Sequence, residues 1–130
     1  AIPAMIAAQR GRIVNIVSDS GRVGEPRQAV YSAAKAGAAG FTRWLDKETG
    51  KFGITCNAVA LASIQTMMTD EQFEAFQQTD HYRAAMSRYA IRRWGQPDDV
   101  AALVGFLCSE RAAWITGQTY PLNGGYSMAQ

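Results

Sequence analysis

The sequence predicts an α/β protein built on a parallel sheet, and three observations carry that reading. Two short apolar runs rich in β-branched residues, "RIVNIVS" (12–18) and "GITCNAVAL" (53–61), have the length and composition of buried strands. Between them, from about Gln28 to Thr49, an Ala-rich stretch reads as one long helix. A later helix and a last short strand within "QTYPLNGG" (118–125) continue the alternation that parallel sheets with right-handed crossovers produce.

The elements follow in order. Residues 4–9, in the apolar opening "AIPAMIAAQ", read as the end of a helix closed by Gly11. "DSGRVGEPRQ", with two glycines and a proline, reads as a loop. The long helix begins with "AVYSAAKAGAAGF", whose small residues allow close packing, and Gly50 suits its C-terminal stop. Residues 63–90 are polar and rich in Met and Gln, and predict one or two short helices. "GQP" (95–97) is a break that places Pro97 at a helix start. Asp98 and Asp99 then sit at the positive end of a helix running to about Ser109. Three strands are few for a parallel sheet, and the strand at 12–18 is expected to present a bare apolar edge. One side of the sheet is therefore expected to lie outside this chain or on another, and the opening, without an initiator Met, reads as partway through a helix.

Composition narrows the function classes. With 130 residues and 48% hydrophobic content, the chain suffices for one domain with a core. A net charge of +2 gives no reason to expect a nucleic-acid partner. No apolar run reaches the roughly 18 residues of a membrane span, and the opening lacks the basic leader and long apolar core of a signal peptide. Cys56 and Cys108 are the only cysteines and His81 the only histidine, so no metal site is expected. Both thiols stand in apolar contexts and are expected to be buried and reduced, which fits a cytoplasmic protein.

The chemistry concentrates in "SDSGRVGEPRQAVYSAAK" (18–35). Tyr31 and Lys35 are four apart on a predicted helix, so their side chains share one face. An adjacent ammonium favours the charged form of a phenol, and a phenol so tuned can exchange a proton with an alcohol or carbonyl oxygen. Ser18 stands at a strand end, where parallel sheets place their ligands, and can donate a hydrogen bond to the same oxygen. The Tyr-Lys spacing alone is weak and is most often plain helix surface.

Four blocks together make the reading specific. "GRIVNIVSDSG", "AVYSAAKAGAAGFTRWL", "GITCNAVALASIQTMM" and "RRWGQPDDVAALVGFLCSERAAWITGQTYPLNGG" resemble, in order and spacing, the C-terminal half of a short-chain dehydrogenase/reductase. The resemblance implies the C-terminal half of a Rossmann-like doubly wound parallel sheet over residues 1–130, with the N-terminal cofactor-binding half outside the chain. It implies Ser18 as the catalytic serine, preferred over Ser20, with Tyr31 as the acid/base. Lys35 would lower the Tyr31 pKa and bond the nicotinamide ribose, and Ile64 and Thr66 would contact the nicotinamide end of NAD or NADP. The implied reaction interconverts a secondary alcohol and a ketone, with a hydroxyacyl-CoA or a 3-oxoacyl thioester among the candidate substrates. The implied assembly is a homo-oligomer, dimer or tetramer, with the outward Trp44 on a packing face.

The chain departs from the family pattern in two respects. Leu61 and Ala62 stand where the family carries Pro-Gly, and the glycine-rich phosphate loop does not occur in these residues. The alternative is therefore a non-catalytic remnant or partner subunit that keeps only the family's oligomer surface. Arg88, Arg92 and Arg93 could meet an anionic substrate or pair locally. Asp19, Arg22 and Glu25 are expected at the pocket rim, and Met67, Met68, Phe73 and Phe76 could form a lid or simply pack.

Overall fold

In the computed structural model, which describes residues 1–128, three parallel strands form one sheet in the order β1-β2-β3. The elements are α1 (Ile2–Ala7), β1 (Gly11–Ser18), α2 (Ser20–Val23), α3 (Ala29–Thr49), β2 (Ile54–Leu61), α4 (Asp70–Gln77), α5 (Asp80–Met86), α6 (Pro97–Cys108) and β3 (Thr119–Leu122). This is the parallel α/β arrangement that the alternating pattern predicts and the Rossmann-like one that the family resemblance implies. Register runs from Gly11 opposite Ile54 to Ser18 opposite Leu61, and from Ala58 opposite Thr119 to Leu61 opposite Leu122. All three strands therefore end together, at Ser18, Leu61 and Leu122.

The central strand is covered on both faces, and Ile54 to Ala60 are all buried. On one face Val17, Ala58 and Ala60 pack against Ala38 of α3. Small side chains here let the helix lie close to the sheet, and α3 turns Ala39, Thr42, Leu45 and Thr49 inward at helical spacing. On the other face Val59 meets Leu107 of α6, joined by Val14, Leu103, Val104, Tyr120 and Leu122. Asn57, fully buried between them, donates to the Ile115 carbonyl at 2.8 Å and accepts from the Gln118 N–H at 3.2 Å, tying β2 to the approach of β3. Among the described residues β1 pairs with β2 alone, and Ile16 is 45% exposed, as the bare-edge expectation requires.

Several local expectations need correction. Gly11 does not close the first helix: the chain leaves α1 through Gln9 in the left-handed region (φ 49°), and Gly11 opens β1. α3 does end at Thr49 with Gly50 as its C-cap, but Gly50 is not left-handed: it holds helical angles and starts a 3-10 turn, Gly50–Phe52. The left-handed residue is Gly53 (φ 71°), where a Cβ would fall 2.6 Å from the Gln9 carbonyl oxygen. The loop after Ser18 contains the short helix α2. Cys108 is exposed; only Cys56 is buried, and burial, followed by the nearby Asp46, raises its thiol to about 11.

Over the strand ends lies a separate aromatic cluster. Phe73, Tyr82, Met86 and Tyr89 are its buried members, with Met68, Phe76 and Trp94 against them. Phe73, Phe76 and Met68 therefore pack rather than form a free lid, while Met67 is 96% exposed. Thr69 caps α4 through a reciprocal bond pair with Gln72, and Thr79 caps α5. Pro97 opens α6 as expected. Asp99 in its first turn takes two bonds from Arg93, which, followed by the Gln96 N–H, hold its carboxyl down at about 2.

Candidate active site

At the end of β1 the chain turns sharply. The Asp19 N–H continues the ladder to the Leu61 carbonyl at 2.9 Å, and its own carbonyl accepts from Arg22 and Val23 to start α2. This fixes Ser18 at the rim of the sheet. The Ser20 N–H donates to Ser18 Oγ at 3.2 Å, and the two hydroxyl oxygens are 3.1 Å apart. Ser20 is buried and Ser18 half-buried. With Ser20 as donor, the Ser18 proton is free to point outward. The serine preferred from sequence spacing is thus also the more accessible of the two.

Helix α3 brings Tyr31 and Lys35 to the same place. Gly21 of α2 lies against α3, where a Cβ would fall 2.7 Å from the Ala36 nitrogen and 2.9 Å from the Lys35 carbonyl carbon. That close approach sets the first turns of α3 beside Ser18. Lys35 Nζ sits 5.7 Å from the Tyr31 ring centroid and donates to the Ile16 carbonyl at 3.3 Å. The Tyr31 ring is 48% exposed, so its hydroxyl is within reach of a ligand.

Two cavities meet at these residues. One, of about 490 Å³, is lined by Ser18, Tyr31, Glu25, Arg88, Tyr89 and Tyr126 among others. The other, of about 650 Å³, is lined by Ser18, Tyr31, Lys35, Ile64 and Thr66, with Pro97, Val100 and Val104 of α6 as an apolar wall. Ser18, Tyr31, Leu61 and Ala62 line both. The five site residues expected from sequence therefore come together. The second cavity, apolar on one side with an ammonium and a hydroxyl on the other, has the chemistry to hold a flat, ribose-bearing ring.

Other expectations divide. Asp19 and Glu25 both line the first cavity, Asp19 being only 1% exposed and paired with Arg22, which does not line it. The three arginines form no cluster. Arg88 reaches Glu25 at 3.3 Å and the Tyr126 hydroxyl, Arg93 pairs with Asp99, and Arg92 is exposed. Sequence reasoning missed Tyr89 and Tyr126 as lining residues. Tyr89 donates to Ser63 Oγ at 3.1 Å, and Tyr126 packs its ring against Tyr89 at 5.1 Å. Among the described residues no group of three or more His, Cys, Asp or Glu could hold a metal ion, and no helix is long and apolar enough to cross a membrane.

A serine, a tyrosine and a lysine converge at the C-terminal edge of a Rossmann-like parallel sheet. The sequence comparisons agree: the family profile described as enoyl-(acyl carrier protein) reductase matches residues 1–127, and the chain belongs to the short-chain dehydrogenase/reductase family. It is 46% identical over 125 residues to the 3-oxoacyl-(acyl-carrier-protein) reductase FabG of Pseudomonas aeruginosa, covering 96% of this chain and 49% of that protein. It is 42% identical over 125 residues to the 3-oxoacyl-(acyl-carrier-protein) reductase of Synechocystis, covering 95% and 47%. Against the FabG of Staphylococcus aureus the identity is 40% over 128 residues, covering 98% and 50%. The chain thus spans about half the length of the curated relatives it matches.

Proposed function

We propose that this chain is the catalytic, C-terminal half of an NAD(P)-dependent ketoreductase that interconverts a 3-oxoacyl thioester and its 3-hydroxy form. The observation that carries the proposal is the junction of two cavities at Ser18 and Tyr31, with Lys35, Ile64 and Thr66 on one side only. The printed names of the relatives support the thioester substrate. Either nicotinamide fits the residues present.

Ser18 donates a hydrogen bond to the carbonyl oxygen and keeps its proton, oriented from behind by the Ser20 N–H. Tyr31 gives its phenolic proton to the same oxygen as negative charge develops there, and takes it back in the reverse direction. Lys35, beside Tyr31, opposes the negative charge left on the phenol and would bond a ribose hydroxyl of the cofactor. Ile64 and Thr66 would hold the ring end of the dinucleotide, with the α6 wall excluding water. When bound, the nicotinamide supplies or accepts the hydride. The reading carries with it a homo-oligomer that packs through the exposed Phe41–Trp44 pair of α3, their ring centroids 5.5 Å apart. It also carries a cytoplasmic location, where an exposed thiol such as Cys108 stays reduced. Leu61 and Ala62 are the feature that favours the non-catalytic alternative.

The serine pair provides the test, in the protein in its complete natural form. With NADPH or NADH and a 3-oxoacyl thioester, Ser18→Ala is expected to lower kcat by about 10²–10³-fold, as loss of an oxyanion donor does. Ser20→Ala is expected to cost less than about tenfold, because it only orients Ser18. A wild type that turns over no 3-oxoacyl thioester with either cofactor would overturn the proposal.

A further inference from the structure

Immediately after Ser18 stands a carboxylate that the proposed reaction does not use. Asp19 is 1% exposed, and a charge so buried is costly unless fully partnered. Its partners come from two places. Arg22, three residues on, pairs with one carboxylate oxygen. The other oxygen accepts from Asn123 Nδ2 at 2.9 Å and from Ser127 Oγ at 2.5 Å, both in the turn that follows β3. That turn is closed on itself: Asn123 Nδ2 also donates to the Ser127 carbonyl at 2.9 Å, the Gly125 N–H donates to Asn123 Oδ1 at 3.0 Å, and Arg22 reaches Ser127 Oγ at 3.1 Å.

The same turn carries Tyr126. Its ring lies against Tyr89, the Arg88 guanidinium sits 4.6 Å above it, and its hydroxyl accepts from Arg88. Tyr89, Arg88 and Tyr126 line the first cavity together with Ser18 and Tyr31. One carboxylate therefore ties the backbone bearing the serine to the segment that brings Tyr126 into the cavity lining.

We infer that Asp19 is a positioning residue, holding the Asn123–Ser127 turn, and with it Tyr126 in the lining of the substrate cavity, at a fixed distance from Ser18. This rests on the ketoreductase reading, because it assigns the first cavity to the acyl substrate. A merely structural Asp19 would affect stability alone. A positioning Asp19 affects KM for the acyl substrate while leaving the cofactor side untouched.

The test is Asp19→Asn in the complete natural protein, with Ser127→Ala as a milder companion that leaves the Asp19–Arg22 pair intact. Expected for Asp19→Asn is a rise of about tenfold in KM and a fall of about 10²-fold in kcat/KM, the scale of an ångström-level misplacement. Affinity for NADPH or NADH, read by fluorescence titration, stays within about twofold because those contacts are elsewhere. Amide hydrogen exchange in residues 124–127 speeds up by more than about tenfold while β2 stays protected, the mark of local opening. Ser127→Ala is expected to show the same pattern at about a third of the size. Should Asp19→Asn fail to fold, Ser127→Ala alone decides. An active wild type with unchanged KM and unchanged exchange in the folded variants overturns the inference and leaves the ketoreductase reading standing. A wild type without turnover overturns the reading itself.

Discussion

Tyr31→Phe is expected to lower carbonyl reduction by about 10²–10⁴-fold, the range of a lost general acid, while changing affinity for NADPH or NADH by less than about twofold. The substitution removes one oxygen from a ring that is 48% exposed. It leaves the Lys35 bond to the Ile16 carbonyl in place. Stability should therefore move by no more than about 0.5 kcal/mol, as for surface changes elsewhere. Steady-state kinetics beside a fluorescence titration check the split. Retained turnover would remove Tyr31 from the mechanism, and a parallel loss of cofactor affinity would make it a binding residue instead.

The second large effect comes from Gly21→Val, a residue that touches no substrate. The added side chain meets the backbone of α3 at Ala36 and Lys35, at 2.7 and 2.9 Å from the first carbon alone. Backbone cannot swing aside as a side chain can, so overpacking should cost toward the upper end of about 1–3 kcal/mol. The two segments that must separate carry Ser18 and Ser20 on one side, Tyr31 and Lys35 on the other. Turnover is expected to fall about 10²-fold from misalignment even where the protein remains folded. Denaturant midpoints with kcat measured well below the transition separate the two effects. A variant with wild-type midpoint and wild-type kcat would show that α2 and α3 are not held together as described.

What sequence could reveal follows the range of the interactions involved. The β-branched runs that became β1 and β2, the Pro97 start of α6 and the Tyr31–Lys35 face are local patterns, and each appears where expected. Gly50 follows the last residue of α3 as expected, but without the left-handed turn that a glycine there suggests. The residue that needs a left-handed angle is Gly53, placed by a close approach to Gln9, 44 positions earlier in the chain. Cys108 misled because "VGFLC" is apolar on every side of its helix, so composition could not tell the covered face of α6 from the open one. Asp19 looked like ordinary loop polarity since its partners, Asn123 and Ser127, are more than a hundred residues distant. Tyr89 and Tyr126 escaped for the same reason: an aromatic ring beside a cavity carries no local signature. That Ser18, Tyr31 and Lys35 come together was legible because they lie within 18 residues of one strand–loop–helix passage, whereas the rest of the first cavity's lining is assembled from separate segments.

The central claim is that Ser18 and Tyr31 face an acyl carbonyl on one side and a reduced nicotinamide on the other. Isotope transfer tests it most directly. The protein in its complete natural form is given a 3-oxoacyl thioester and NADPH or NADH carrying deuterium at the transferable position, and the product is analysed by mass spectrometry. One deuterium on the new carbinol carbon, in wild type and strongly reduced in Tyr31→Phe, is the predicted result. A hydroxyacyl product without deuterium at that carbon, or the same yield from the Phe variant, would contradict it.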